Sequence, residues 1–202
     1  MRSISGANSR AAFSRVRGLI ICGVMLLAIA ACSPNAPDQA GSQGRGIDPA
    51  NNIGDIKTVD VEGAPFARGD FSQSRLVMLN IWTTWCPPCL REMPDLAAIS
   101  NERAGTGFRV VGIVADAVTE LGKTNEETVA LARSIMQELG VEYTVILPDE
   151  TLLTGVLKDM YAVPTTVFVD GYGNLVGDSY VGSRSKDDWN KLIDELMETG
   201  KP

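Results

Sequence analysis

Cys86 and Cys89 are the side chains in this sequence best suited to do chemistry, because two intervening residues let their sulfurs close a small reversible disulfide. They lie in the run Trp82-Thr83-Thr84-Trp85-Cys86-Pro87-Pro88-Cys89. The reactive species at such a pair is the thiolate, and a cysteine at a helix N-terminus gains free backbone N–H groups and the positive end of the helix dipole. The run before the pair, Leu76-Val77-Met78-Leu79-Asn80-Ile81-Trp82, reads as a buried strand, and Leu90-Arg91-Glu92-Met93 onward reads as a helix. Cys86 therefore falls at the strand-to-helix turn, exposed enough to attack, and Cys89 lies one turn into the helix beneath it, where it can attack back on a mixed disulfide. Cys86 is the expected nucleophile and Cys89 the resolving thiol.

The elements that must hold this turn follow along the chain. Residues 56–61 alternate apolar and polar positions and read as a short strand, 62–65 as a turn, and Phe71 as a residue packed under the sheet. Residues 87–104 read as a helix in which Pro87 and Pro88 are tolerated in the first turn, whereas Pro94 deletes an internal bond and should kink it. Residues 109–114 form a second buried strand. Residues 126–139 form a helix with Thr124 as N-cap and Gly140 as its stop. A strand at 143–147, a helix at 151–161, a strand at 163–170 headed by Pro164, a strand at 175–181 and a last helix at 187–199 opened by Ser185-x-x-Asp188 complete the order. This alternation means a mixed sheet sandwiched by helices, an α/β fold.

Of the 202 residues, 45% are hydrophobic, enough for one globular domain plus a leading segment. Residues 1–31 contain Arg2, Arg10, Arg15 and Arg17, no acidic residue, and an apolar run from Leu19 to Ala30. That is the pattern of a secretory signal, too short for a typical membrane span. Ile29-Ala30-Ala31-Cys32 resembles a bacterial lipobox, which makes Cys32 the expected site of lipidation and a membrane anchor. Residues 32–54 are poor in large apolar side chains and read as a flexible tether reaching on the order of 25 to 30 Å. The domain proper is then 55–202, in an exported protein held at a bacterial membrane.

Charge and composition remove other classes. The chain carries 18 basic and 25 acidic residues, a net charge of −7, and the part starting at Cys32 keeps 14 basic residues against the same 25 acidic ones, or −11. An acidic domain without a basic stripe has no electrostatic route to nucleic acid. Cys22 leaves with the signal and Cys32 is capped by lipid, so only Cys86 and Cys89 remain as thiols, and histidine is absent. A closed structural zinc site needs four ligands of these kinds, so no metal site is expected. A Cu(I) carrier remains an alternative, since soft thiolates suit that ion.

With these pieces placed, the chain resembles the thioredoxin superfamily, and within it the membrane-anchored TlpA/ResA-type thiol-disulfide reductases, over residues 55–200. The motifs that carry the resemblance are Trp82 to Cys89, Arg91-Glu92-Met93-Pro94, Val163-Pro164-Thr165 and Phe168-Val169-Asp170. It implies a thioredoxin-like fold, a central mixed β-sheet flanked by helices on both faces. It implies a cis-proline at Pro164 across from a redox-active disulfide between Cys86 and Cys89, with Val163 offering its backbone to an extended partner segment. Asn80 departs from the buried aspartate of thioredoxin itself. Glu92, three residues after Cys89, stands where this type carries a buried glutamate, and a desolvated carboxyl there would have a raised pKa suited to taking a proton from Cys89; the alternative is a solvent-facing residue paired with Arg91. Trp85, Pro87 and Pro88 are expected to line the contact surface and Trp82 to lie in the core.

The activity so implied is reduction of disulfides in extracytoplasmic proteins, such as apocytochromes c or copper-site assembly proteins. It needs no bound cofactor but requires re-reduction by a membrane thiol donor, and a monomer is expected. Running the same cysteines in the other direction would make the protein an oxidase or isomerase.

Overall fold

The computed structural model describes residues 52–53, 55–119 and 121–199. The expected signal at 1–31, Cys32 and nearly all of the tether at 32–54 lie outside the described residues. Among the described residues no helix is long and apolar enough to cross a membrane.

The elements are β1 (Lys57–Val59), β2 (Pro65–Ala67), β3 (Leu76–Trp82), α1 (Pro87–Glu102), β4 (Phe108–Val114), α2 (Glu126–Leu139), β5 (Val145–Ile146), α3 (Glu150–Thr154), β6 (Thr165–Val169), β7 (Leu175–Val181) and α4 (Lys186–Thr199). Five strands form one sheet in the order β5-β4-β3-β6-β7. β3 pairs in parallel with β4, and β4 with β5, whereas β6 runs antiparallel to both β3 and β7. The mixed sheet expected from the order of elements is present.

Every residue of β3 is buried, as its unbroken apolar run requires of a central strand covered on both faces. Alternation sends Leu76, Met78 and Trp82 into one core with Met93, Leu96 and Ile99 of α1, Val129 of α2, and Trp189 and Ile193 of α4. Val77, Leu79 and Ile81 enter the other core with Phe66, Phe71, Leu152 and Val156. Phe71 thus packs against the sheet as anticipated, at the end of a short 3-10 turn, Arg68–Phe71. Asn80 shares the alternation phase of the α1 side; fully buried, it donates from Nδ2 to Thr166 Oγ1 at 3.1 Å, directly across the β3/β6 pairing.

Several boundaries differ from the sequence reading for local reasons. Residues 65–67, of which only Pro65 belongs to the expected turn, pair with 57–59 in a hairpin whose bend is held by the Asp60 side chain accepting from the N–H groups of Glu62 and Ala64. The hairpin continues onto β5 through Val61 N–H to the Val145 carbonyl (2.9 Å) and Leu147 N–H to the Val59 carbonyl (3.0 Å), covering that sheet edge. α3 ends at Thr154 rather than reaching 161, because Gly155 caps it and leaves the helical conformation. Asn125, not Thr124, is the N-cap of α2, accepting from Thr128 N–H, while Gly140 stops the helix at φ +67° as expected. Of the strand expected at 143–147, Val145–Ile146 forms β5. α1 remains an unbroken helix through Pro94.

Candidate active site: the dithiol turn

β3 delivers its C-terminal end to the turn, and α1 leaves it. Cys86 is the N-cap of α1 with Pro87 and Pro88 as the first helical residues, where a missing N–H costs nothing. The two cysteines are joined, with Cα atoms 5.3 Å apart and an S–S distance of 2.04 Å. Cys86 Sγ accepts the Cys89 N–H at 3.3 Å. Because the two prolines have no N–H, this first turn offers the sulfur no other main-chain donor. The expectation of an exposed Cys86 needs correction for this joined state: Cys86 is 3% exposed and Cys89 1%, the outer sulfur being drawn in against the Cys89 amide. Trp85, by contrast, is 70% exposed, Pro87 is exposed and Pro88 half-buried, while Trp82 is fully buried.

Asp116, in the 3-10 turn Ala115–Ala117 that closes β4, fixes the approach to the cysteines. Its carboxylate accepts the Thr84 N–H at 3.1 Å and the Thr84 hydroxyl at 2.6 Å. Nothing in the sequence alone marks Asp116 as a partner of Thr84. At the head of β6 the Val163–Pro164 peptide bond is cis, with Pro164 buried and Val163 half-buried. The Pro164 carbonyl accepts the Gly182 N–H at 2.8 Å, and among the described residues the main chain of Val163 has no hydrogen-bond partner.

Glu92 is buried on the inner side of α1, one turn after Cys89, so the solvent-facing alternative does not hold. Its Oε1 accepts from Trp189 Nε1 of α4, and its Oε2 has no partner within hydrogen-bonding geometry. No hydrogen bond joins it to Cys89 among the described residues. Burial pushes its carboxyl from 4.5 up to about 7, against the opposing pull of the Trp189 indole, of the Arg184 backbone N–H from outside good hydrogen-bonding geometry, and of the Arg184 guanidinium; Asp95 adds a smaller push upward. Tyr143, whose buried hydroxyl also has no partner, is raised by burial and then by the charge of Glu92. A buried indole N–H such as that of Trp189 needs an acceptor, and that requirement was the available signal. Among the described residues no group of three or more metal-ligating side chains comes together.

A disulfide at a helix N-cap, a cis-proline at the head of β6 and a mixed sheet of this order define a thioredoxin-like thiol-disulfide oxidoreductase. The chain belongs to the AhpC/TSA family, whose model matches residues 49–177. It is 29% identical over 150 residues to the thiol:disulfide interchange protein DsbE of Haemophilus influenzae, covering 74% of this chain and 72% of that one. Among solved structures it is similar to a thioredoxin-family thiol:disulfide interchange protein from Chlorobium tepidum, with TM-score 0.57, 26% identity and coverage of 70% and 92%. It is also similar to the exposed lipoprotein thioredoxin Etrx1 of Streptococcus pneumoniae, with TM-score 0.53, 26% identity and coverage of 70% and 99%.

Proposed function

We propose that this oxidoreductase works as a reductase of disulfides in exported proteins, with Cys86 as the attacking sulfur, Cys89 as the resolving one and Glu92 as the proton acceptor. The observation that carries the direction is the sparse donor set at Cys86 Sγ: one amide, from Cys89, with two prolines filling the rest of the turn. A thiolate with few donors is weakly stabilised, and a weakly stabilised dithiol gives up its electrons readily.

The Cys86 thiolate attacks one sulfur of a substrate disulfide, and the other substrate sulfur leaves as a thiolate. Cys89 then loses its proton to Glu92 and attacks Cys86 Sγ, forming the internal disulfide and expelling the second substrate thiolate. Two electrons pass to the substrate, whose two thiolates take up protons from solvent. Val163 supports binding of an extended substrate segment because its main chain, next to Pro164, has no hydrogen-bond partner among the described residues, and Trp85, Pro87 and Pro88 supply apolar contact at the turn.

In this reading residues 1–31 direct export, Cys32 carries lipid, 32–54 tether the monomeric domain of 55–202, and a membrane thiol carrier returns electrons to the Cys86–Cys89 pair. The basic leader followed by an apolar run and Ala30-Ala31-Cys32 supports this placement, as does the similarity to a lipoprotein thioredoxin. Oxidised cysteines of apocytochromes c or copper-site assembly proteins are the substrate class.

Equilibration of the protein with thiol buffers of known potential tests the direction. A potential near the thioredoxin value of about −270 mV is expected, and one near the strong-oxidant value of about −120 mV would overturn the reading in favour of an oxidase.

A further inference from the structure

Glu92 is covered from the side of α4 by a second layer of residues that the dithiol chemistry has not used. Arg184, in the exposed segment between β7 and α4, places its guanidinium carbon 5.3 Å from the Tyr180 ring centre and 5.4 Å from the Trp189 ring centre. Those two rings meet edge to face at 6.3 Å and 85°, so the cation rests in the corner they make. Trp189 is the ring whose N–H is donated to Glu92. Two residues before Arg184, Gly182 adopts φ +91°, which favours glycine, and donates its N–H to the Pro164 carbonyl. One short segment thus touches the cis-proline at one end and the cover of the buried carboxylate at the other.

We propose that Arg184 is a positioning residue of the dithiol site: clamped on Tyr180 and Trp189, it keeps the indole N–H on Glu92 and its own charge beside that carboxylate. The charged and titratable groups that bear on Glu92 are Asp95 from its own helix, Tyr143 from the segment before β5, and Arg184 from the segment before α4. Only Arg184 is a cation. Asp95 and Tyr143 cannot replace it, since one opposes ionisation of Glu92 and the other is itself held neutral by burial. Its work is to keep the acid competent to lose its proton near neutral pH, so that it is ready to receive the one from Cys89.

This inference rests on the proton-acceptor reading of Glu92, and two readouts separate their failures. In the full-length chain, the carboxyl carbon of Glu92 is titrated by NMR, with E92Q identifying the signal. In parallel, the reduced chain is mixed with the aryl disulfide DTNB, and release of the second aryl thiolate, which reports attack by Cys89, is followed against pH. R184Q should move both inflections upward by about half a pH unit, and R184K, which keeps the charge, should return most of that shift. An unmoved or lowered carboxyl titration in R184Q overturns the role of Arg184, whatever the kinetics show. A second-release profile that is the same in E92Q and the natural chain overturns the proton-acceptor reading instead, and with it the catalytic purpose of the clamp. Arg184 is exposed, so its replacement does not open the core.

Discussion

Replacing Glu92 by glutamine should stabilise the oxidised protein at neutral and alkaline pH and flatten the dependence of its stability on pH. Glu92 is 3% exposed, and burial lifts its carboxyl from 4.5 to about 7. A raised value means that the folded protein holds this proton more tightly than the unfolded chain does. The resulting stabilisation is complete below 4.5 and is lost as pH rises through 7. A displacement of that size corresponds to about 3 kcal/mol across the window. Glutamine keeps an oxygen to accept the Trp189 N–H and carries no charge to desolvate. Its amide N–H groups need an acceptor in place of the unpartnered Oε2, which offsets about 1 to 2 kcal/mol of the gain. At pH 8 the variant should therefore be more stable by about 1 to 2 kcal/mol, and below pH 4.5 it should be equal or weaker. Urea unfolding of the oxidised protein at a series of pH values, with midpoint and slope both fitted, measures this. Parallel pH curves for the two proteins would refute the reasoning, because they would mean that Glu92 ionises in the fold as it does in the open chain.

Three other substitutions probe the frame around the sulfurs. Asp116→Ala removes the acceptor of both Thr84 bonds and should cost about 1 to 3 kcal/mol in urea unfolding, with faster amide exchange at Thr84. Gly112→Ala would set a Cβ 2.9 Å from Val145 Cγ2 and 3.3 Å from both Trp82 Nε1 and Tyr143 Cε2; overpacking of about 1 to 3 kcal/mol should appear as a lowered melting temperature. Trp85→Ala removes a ring that is 70% exposed, so stability should change by under about 0.5 kcal/mol while KM for a protein disulfide rises several-fold and the rate with a small aryl disulfide does not.

The sulfurs and their helix were legible because each rests on local rules: an apolar run that only a central strand satisfies, a proline pair suited to a first turn, and a cysteine pair at a spacing with a chemical reason. The burial of Trp82, the exposure of Trp85, and Gly140 as a helix stop were legible in the same way. The partners of the site were not. Asp116 reaches Thr84 across 32 positions and Trp189 reaches Glu92 across 97, and a single sequence carries no periodicity for a pairing of that kind. The short pieces failed for a related reason. β1 was legible in the alternation of 56–61, but β2 has three residues, too few to show one, and it pairs with β1 in a hairpin that covers the edge of β5. The stop of α3 at Gly155 was present in the sequence but was outweighed by the apolar residues beyond it, which enter the second core from a turn instead of a helix.

The most direct test of the central claim is a trap. The reduced Cys89→Ser chain, mixed with an oxidised protein substrate such as insulin, should accumulate a covalent adduct whose only new bond is to Cys86, as read by intact mass and peptide mapping. The natural chain should pass through that adduct without accumulating it, and Cys86→Ser should form none. An adduct of equal yield in Cys86→Ser, or insulin reduction that persists when both cysteines are replaced, would contradict the account.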